Sequence, residues 1–216
     1  MEEPSRDASR VAALCSYGIL DTAPELDYDD LTALAARICR TPVAFTKFID
    51  DRRAWFKSQV GLPPDLHEVP RDVAICNTTI RQADLLVVPD CSVDERFRDN
   101  PTVCGWPNIR YYCGMPLINP QGYALGTLCV VDFVPRADIG FEQLEAVRTL
   151  ARQVTAHLEF RRTSAELVRS LADLEAARSL AEDERAKADA LLCDILPAEI
   201  AAELKSTGTV QARYHP

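Results

Sequence analysis

Neither glycine nor proline occurs between Gly140 and Pro197, although the chain as a whole holds 8 Gly and 14 Pro. These two residues are the strongest interrupters of regular backbone, so their joint absence from Phe141 to Leu196 predicts one long helix. At 1.5 Å per residue such a helix would reach roughly 84 Å. A domain of ordinary size is far narrower, so much of this helix is expected to project from whatever precedes it.

The length of 216 residues accommodates one globular domain together with such an extension. With 47% hydrophobic and 26% charged residues, the chain can bury a core. Its formal charge of -9, from 24 Lys+Arg against 33 Asp+Glu, would repel a phosphate backbone and argues against nucleic acid as a partner. The longest apolar run, Tyr123 to Val131, is far shorter than the roughly 20 residues of a membrane-spanning helix, so no membrane partner is expected. The acidic start, Met1-Glu2-Glu3-Pro4, leads into no apolar segment and does not read as a secretory signal, which points to the cytoplasm. Eight cysteines, at positions 15, 39, 76, 91, 104, 113, 129 and 193, form no C-x-x-C pair and read as free thiols.

Before the long helix the pattern alternates between helix and strand signals. Leu31, Leu34, Ala35 and Ile38 recur at helical spacing behind acidic residues, predicting a helix over Asp27–Cys39. Val43 to Asp50 and Ala54 to Val60 read as a hairpin around Asp51-Arg52-Arg53. A helix is expected over Val73–Arg81 and a short strand over Leu85–Val88. Arg110–Ile118 and Tyr123–Val131 form a second hairpin across Asn119-Pro120-Gln121-Gly122. The fold class is α+β, a mainly antiparallel sheet flanked by helices and followed by a long C-terminal helix. The chain divides into a lead segment at 1–26, a domain at 27–153, a helix at 154–196 and a terminal segment at 197–216.

The central residues carry a recognisable pattern. Pro89-Asp90, Arg96-Phe97, Asn100-Pro101, Ile109-Arg110-Tyr111-Tyr112-Cys113-Gly114 and Gly122-Tyr123-Ala124-Leu125-Gly126-Thr127-Leu128-Cys129-Val130-Val131-Asp132 resemble the GAF domain. The likeness runs from Tyr17-Gly18-Ile19-Leu20-Asp21-Thr22 to Gln153. GAF domains are small-molecule sensing and dimerising modules that hold ligands between the sheet and the loops and helices over it. The resemblance therefore implies Phe97, Asn100, Tyr111 and Tyr112 as ligand-binding candidates, with Cys76, Asn77 and Thr79 from a covering helix. Read without the resemblance, aromatics at strand spacing are packing residues, and both readings stay open. Gly126, inside a strand, suggests a close backbone approach or a bulge beside a pocket.

Departures from the pattern narrow the ligand. The Asn-Lys-Phe-Asp-Glu motif of cyclic-nucleotide-binding GAF domains is not recognisable, and no cysteine is followed by the histidine common at bilin attachment sites. His67, in a proline-rich loop, reads as an exposed residue rather than a haem ligand. No cofactor or metal ligand is identifiable, which leaves an unidentified small molecule as the expected occupant.

Taken in heptads, the long helix places Leu150, Gln153, His157, Phe160 and Ser164 and then Leu167, Leu171, Leu174, Arg178, Ala181, Arg185, Ala188, Leu192 and Ile195 along one seam. This predicts a parallel homodimeric coiled coil whose arginines weaken the seam, which either suits it to passing a signal or is a tolerated defect in an ordinary two-stranded spacer. Leu191 to Lys205, with Gly208, Val210, Ala212, Tyr214 and His215, resembles the segment leading into the catalytic domain of class III adenylate and guanylate cyclases. Pro197 would be the hinge between the two. The resemblance implies a regulatory, non-catalytic segment serving a downstream cyclase domain as partner. Two other readings are a ligand-free dimerisation scaffold and a free methionine sulfoxide reductase using Cys76, Cys91 and Cys113.

Overall fold

The structure is a computed structural model that describes residues 3–137, 139–195 and 200. It divides into two units, Met1–Arg162 and Thr163–Pro216.

In the first unit the elements are α1 (Glu3–Ser16), α2 (Leu26–Cys39), β1 (Val43–Ile49), β2 (Arg53–Val60), β3 (Glu68–Pro70), α3 (Cys76–Thr79), β4 (Leu86–Val88), α4 (Pro101–Cys104), β5 (Tyr111–Ile118), β6 (Ala124–Asp132) and the start of α5 (Phe141–Ile195). Six strands form one sheet in the order β3-β2-β1-β6-β5-β4, and every neighbouring pair is antiparallel. The antiparallel sheet flanked by helices expected from the sequence is the one observed, with both hairpins in place. The turn of the second hairpin is fixed by Asn119, whose side-chain oxygen accepts from the backbone N–H of Gln121 and of Tyr123.

Three local features differ from the sequence expectation. The helix expected over Val73–Arg81 is α-helical only from Cys76 to Thr79, because Asn77, Thr78 and Thr79 are poor helix formers and the flanking residues close separate turns. The polar loop contains α4, capped by Asn100, whose Oδ1 accepts from Thr102 N–H at 2.9 Å, with Pro101 at the first helical position. The segment before Asp27 contains α1, which contributes Leu14 to the core, with Tyr17 and Ile19 following it.

The sheet is covered on both faces, so all seven residues of β1 are buried and the strand shows no polar edge. On one face Ala44, Phe48, Trp55, Tyr111, Leu128 and Val130 pack with Tyr28 and Ala35 of α2. Val147, Leu150, Ala151, Val154 and Leu158 of α5 join the same cluster at helical spacing. Leu150 of the expected seam is thus a core residue of this unit, and His157 lies edge-on to Tyr28 with ring centroids 4.9 Å apart. On the other face Val43, Phe45, Ile49, Phe56, Tyr112, Cys129 and Val131 pack under the connections that carry α3 and α4.

In the second unit the seam positions Leu167, Leu171 and Leu174 are exposed. Arg178, Ala181, Arg185 and Ala188 are exposed as well, and Arg178 Nε donates to Glu182 Oε1 at 2.7 Å. The side chains of Leu192 and Ile195, and Pro197 altogether, lie outside the described residues. Among the described residues no helix is long and apolar enough to cross a membrane.

Candidate functional site

The second face of the sheet does not close completely. A cavity of about 200 Å³ lies between β1, β2, β5 and β6 on one side and residues 62–76 and 101–109 on the other. Its walls are mainly aliphatic and aromatic, from Val43, Phe45, Phe56, Leu66, Ile75, Ile109 and Val131. Trp106 and Phe133, both partly exposed, also line it.

One charge interrupts this apolar lining. Alternation along β1 places Lys47 on the face of Val43, Phe45 and Ile49, and Lys47 is 5% exposed. Its ammonium lies 4.2 Å from the ring centroid of Phe45 and 3.8 Å from that of Phe56. The two rings stand edge-to-face, and the faces they turn to the ammonium return part of its lost hydration. Among the described residues no carboxylate is within ion-pairing distance of it. Burial pushes the Lys47 ammonium toward its neutral form, opposed by the negative charge available at Cys76 and Cys129. The backbone at this point requires a glycine opposite, since a Cβ on Gly126 would lie 2.1 Å from the Lys47 carbonyl oxygen.

Beside Lys47 is a group of thiols and hydroxyls. Cys76 Sγ and Cys129 Sγ are 3.8 Å apart. Tyr112 Oη lies 3.1 Å from Cys129 Sγ and 2.6 Å from Thr79 Oγ1. Gly114 makes this reach possible, because a Cβ there would lie 2.4 Å from Tyr112 Oη. The hydrogen bond from Cys129, joined by the charge of Lys47, pulls the Cys76 thiol below its ordinary range despite burial. Burial pushes Cys129 and Tyr112 the other way.

The residues expected at a site divide clearly. Cys76 and Tyr112 line the cavity, and Thr79 holds Tyr112 from behind. Asn77 instead accepts from Arg71 Nε at 3.0 Å. Phe97 is buried in the core of the same face. Asn100 caps α4 and donates through Nδ2 to Val73 O at 2.8 Å, which pins the covering loop. Tyr111 lies on the opposite face, among α2 and α5 residues. Cys113 is on that opposite face too, while Cys91 is buried on the cavity face, and burial pushes both thiols up to about 12. The three cysteines of the reductase reading therefore do not converge on one site. Lys47 was missed by sequence reasoning, although its signal is simple: a lysine whose neighbours two positions away, Phe45 and Ile49, are both apolar.

A second buried lysine shows what a closed arrangement looks like. Lys57 of β2 has a fully buried side chain on the first face. Its Nζ donates to Thr22 Oγ1 at 2.8 Å, to Ala23 O at 2.6 Å and to Glu25 Oε1 at 2.6 Å. The pairing of β1 with β2 shifts by one residue here, with Thr46 opposite Ser58 and Lys47 opposite Phe56. The extra residue is Lys57, placed by a bulge in β2.

Residues 7–158 match the GAF domain family. The chain is 34% identical over 161 residues to a cyclic di-GMP phosphodiesterase of Pseudomonas aeruginosa, a stretch covering 74% of this chain and 27% of that protein. It thus spans about a quarter of that relative's length. The fold is similar to the crystal structure of the GAF domain of an Acinetobacter phosphoenolpyruvate-protein phosphotransferase, with a TM-score of 0.54 at 16% identity, covering 72% of this chain and 94% of that one. It is also similar to a free methionine-R-sulfoxide reductase from Neisseria meningitidis, with a TM-score of 0.52 at 14% identity, covering 69% and 87%. At these identities the two structures speak to the fold alone.

Proposed function

Because the chain belongs to the GAF domain family, we propose that it acts as a sensory domain whose cavity takes a small molecule and whose helix α5 carries the result to an output domain. The observation that carries this reading is the cavity between sheet and covering loops, with a buried charge in its wall. In this reading Leu167, Leu171 and Leu174 meet their counterparts in a second copy, forming a parallel homodimeric coil that Leu192 and Ile195 continue toward Pro197. The output is a class III adenylate or guanylate cyclase, a conclusion supported by the resemblance of Leu191–Lys205 to the lead-in of such enzymes. Such a catalytic site forms between two chains, which a parallel coil would bring together.

A second reading comes from the phosphodiesterase relative, in which the output acts on a cyclic dinucleotide. Assaying the full-length protein for cyclisation of ATP and GTP and for hydrolysis of cyclic di-GMP separates the two.

The transmission step is tested by fusing this chain in frame to a class III cyclase catalytic domain and removing four residues between Leu171 and Leu192. Four residues shift the phase of the helix by roughly 40° from whole turns and break the heptad. A changed or inverted cyclisation rate supports transmission through helix phase. An equal rate in both fusions contradicts it.

A further inference from the structure

Lys47 is a charge with no carboxylate and no hydrogen-bonded oxygen beside it among the described residues, in a wall that is otherwise mainly apolar, and the counter-charge within the protein is what the neighbouring thiols Cys76 and Cys129 can supply. An ammonium taken out of water is costly unless an anion accompanies it, and the faces of Phe45 and Phe56 compensate only in part. Lys57 demonstrates the alternative in the same sheet, where three oxygens, one of them a carboxylate, surround the charge. No such set surrounds Lys47 among the described residues, and the space before it is the cavity itself. An anion entering the cavity would give Lys47 what the oxygens around Lys57 give that residue.

The cavity also limits what that anion is. Its volume of about 200 Å³ is below the roughly 300 Å³ at which sites for drug-sized ligands begin. Its remaining walls offer chiefly hydrocarbon, and one ammonium balances one negative charge. A phosphate-rich or multiply charged ligand would leave charge uncompensated against Phe56, Leu66 and Val131.

We propose that the cavity binds a small monocarboxylic acid with an aromatic or branched aliphatic body, its carboxylate on Lys47 Nζ and its body against Phe56, Leu66 and Val131. This rests on the sensory reading and specifies the ligand class. A charge-assisted hydrogen bond supplies the affinity of the head group, and burial of the apolar body supplies the rest. Trp106 and Phe133, lying partly exposed at the cavity, mark its way in.

The test uses the whole chain and three families of probe: benzoate, phenylacetate and isovalerate; the amides of these acids; and benzylamine. Titration calorimetry and saturation-transfer NMR are expected to show that the acids bind, with the amides at least about tenfold weaker and the amine unbound. Lys47→Met should abolish the preference for acid over amide, and Lys47→Arg should retain it. The melting transition of each variant reports whether it folds, and the acid–amide comparison on the native chain needs no variant. Equal binding of acids and amides, or acid binding unchanged in Lys47→Met, would overturn the carboxylate assignment while leaving a small-molecule pocket. Failure of all probes, amides included, would overturn both the assignment and the sensory reading.

Discussion

The two buried lysines divide the molecule into two regions built for different purposes. Lys57 lies under α2 with its charge divided among Thr22, Ala23 and Glu25, and the face around it is packed by α1, α2 and α5. Lys47, on the neighbouring strand, turns to the face covered by loops and two single-turn helices, and its charge meets two aromatic rings and a cavity. A satisfied buried charge belongs to the framework, whereas an unsatisfied one at a cavity wall is tolerated where something else completes it. The same sheet therefore carries a closed face that holds the domain together and an open face that can respond.

Substituting each lysine by methionine is the widest separation of the two. Lys57→Met removes three hydrogen bonds from a side chain with no exposure and should cost about 3 kcal/mol in urea denaturation. Glu25 is not stranded by this change, because Arg161 remains 3.3 Å away, so the loss stays short of that for an isolated buried charge. Lys47→Met removes a buried charge that no carboxylate pairs and lets the neighbouring Cys76 stay a neutral thiol, and it should be neutral or stabilising by about 1 kcal/mol. Comparable destabilisation by both variants would mean that Lys47 is as much a part of the framework as Lys57.

Gly126→Ala tests the backbone at the same place. The new methyl would meet the Lys47 carbonyl oxygen, a backbone atom that cannot swing aside. A loss of about 2–3 kcal/mol is expected, read from the midpoint of the same denaturation curve.

Cys76 offers a chemical readout of the Lys47 charge. Its thiol is held below the ordinary range by the Cys129 hydrogen bond and by Lys47. Lys47→Met should raise the pH at which a small alkylating reagent modifies Cys76, followed by mass spectrometry of the Cys76 peptide. An unchanged profile would mean that Lys47 does not act on the cavity thiol.

A third charged cluster, at the surface between α1 and the loop after β3, carries a smaller contribution. Asp7 of α1 receives two hydrogen bonds from Arg71 and one from Arg10, and those partners hold its carboxyl at about 2. A carboxyl whose folded value is lowered stabilises the fold above its unfolded value near 4 and loses that contribution as pH falls toward 2. Discounted for its partial exposure, the contribution is about 1 kcal/mol. Asp7→Asn should remove it at neutral pH and flatten the acid limb of the stability curve between pH 4 and 2.

Much of the framework was legible from local pattern. The two hairpins follow from alternation and from an Asn-Pro-Gln-Gly turn, and α5 follows from a missing pair of residue types. The start of α1 is polar, and its core contribution is concentrated in Leu14, so no apolar stripe announced it. Strand β3 has three residues and ends in proline, too short to carry a period. The site was harder to see for a physical reason. In a sheet buried on both faces, alternation sorts residues into two sets without saying which set borders a cavity. Tyr111 and Tyr112 are therefore equivalent as sequence, yet Tyr112 lines the cavity and Tyr111 is buried in the core of the opposite face. The heptad reading meets a similar ambiguity, because periods of 3.5 and 3.6 select nearly the same residues over a few turns. Leu150 fits a seam on paper and is buried in the domain core.

If Lys47 waits for an anion, binding of that anion is linked to folding and shifts the melting transition. Melting the native chain, Lys57→Arg and Lys47→Met with and without excess phenylacetate measures binding to the folded state alone. The acid is predicted to raise the transition of the native chain and of Lys57→Arg, and to leave that of Lys47→Met unmoved. An equal rise in all three, or none in the native chain, would contradict it.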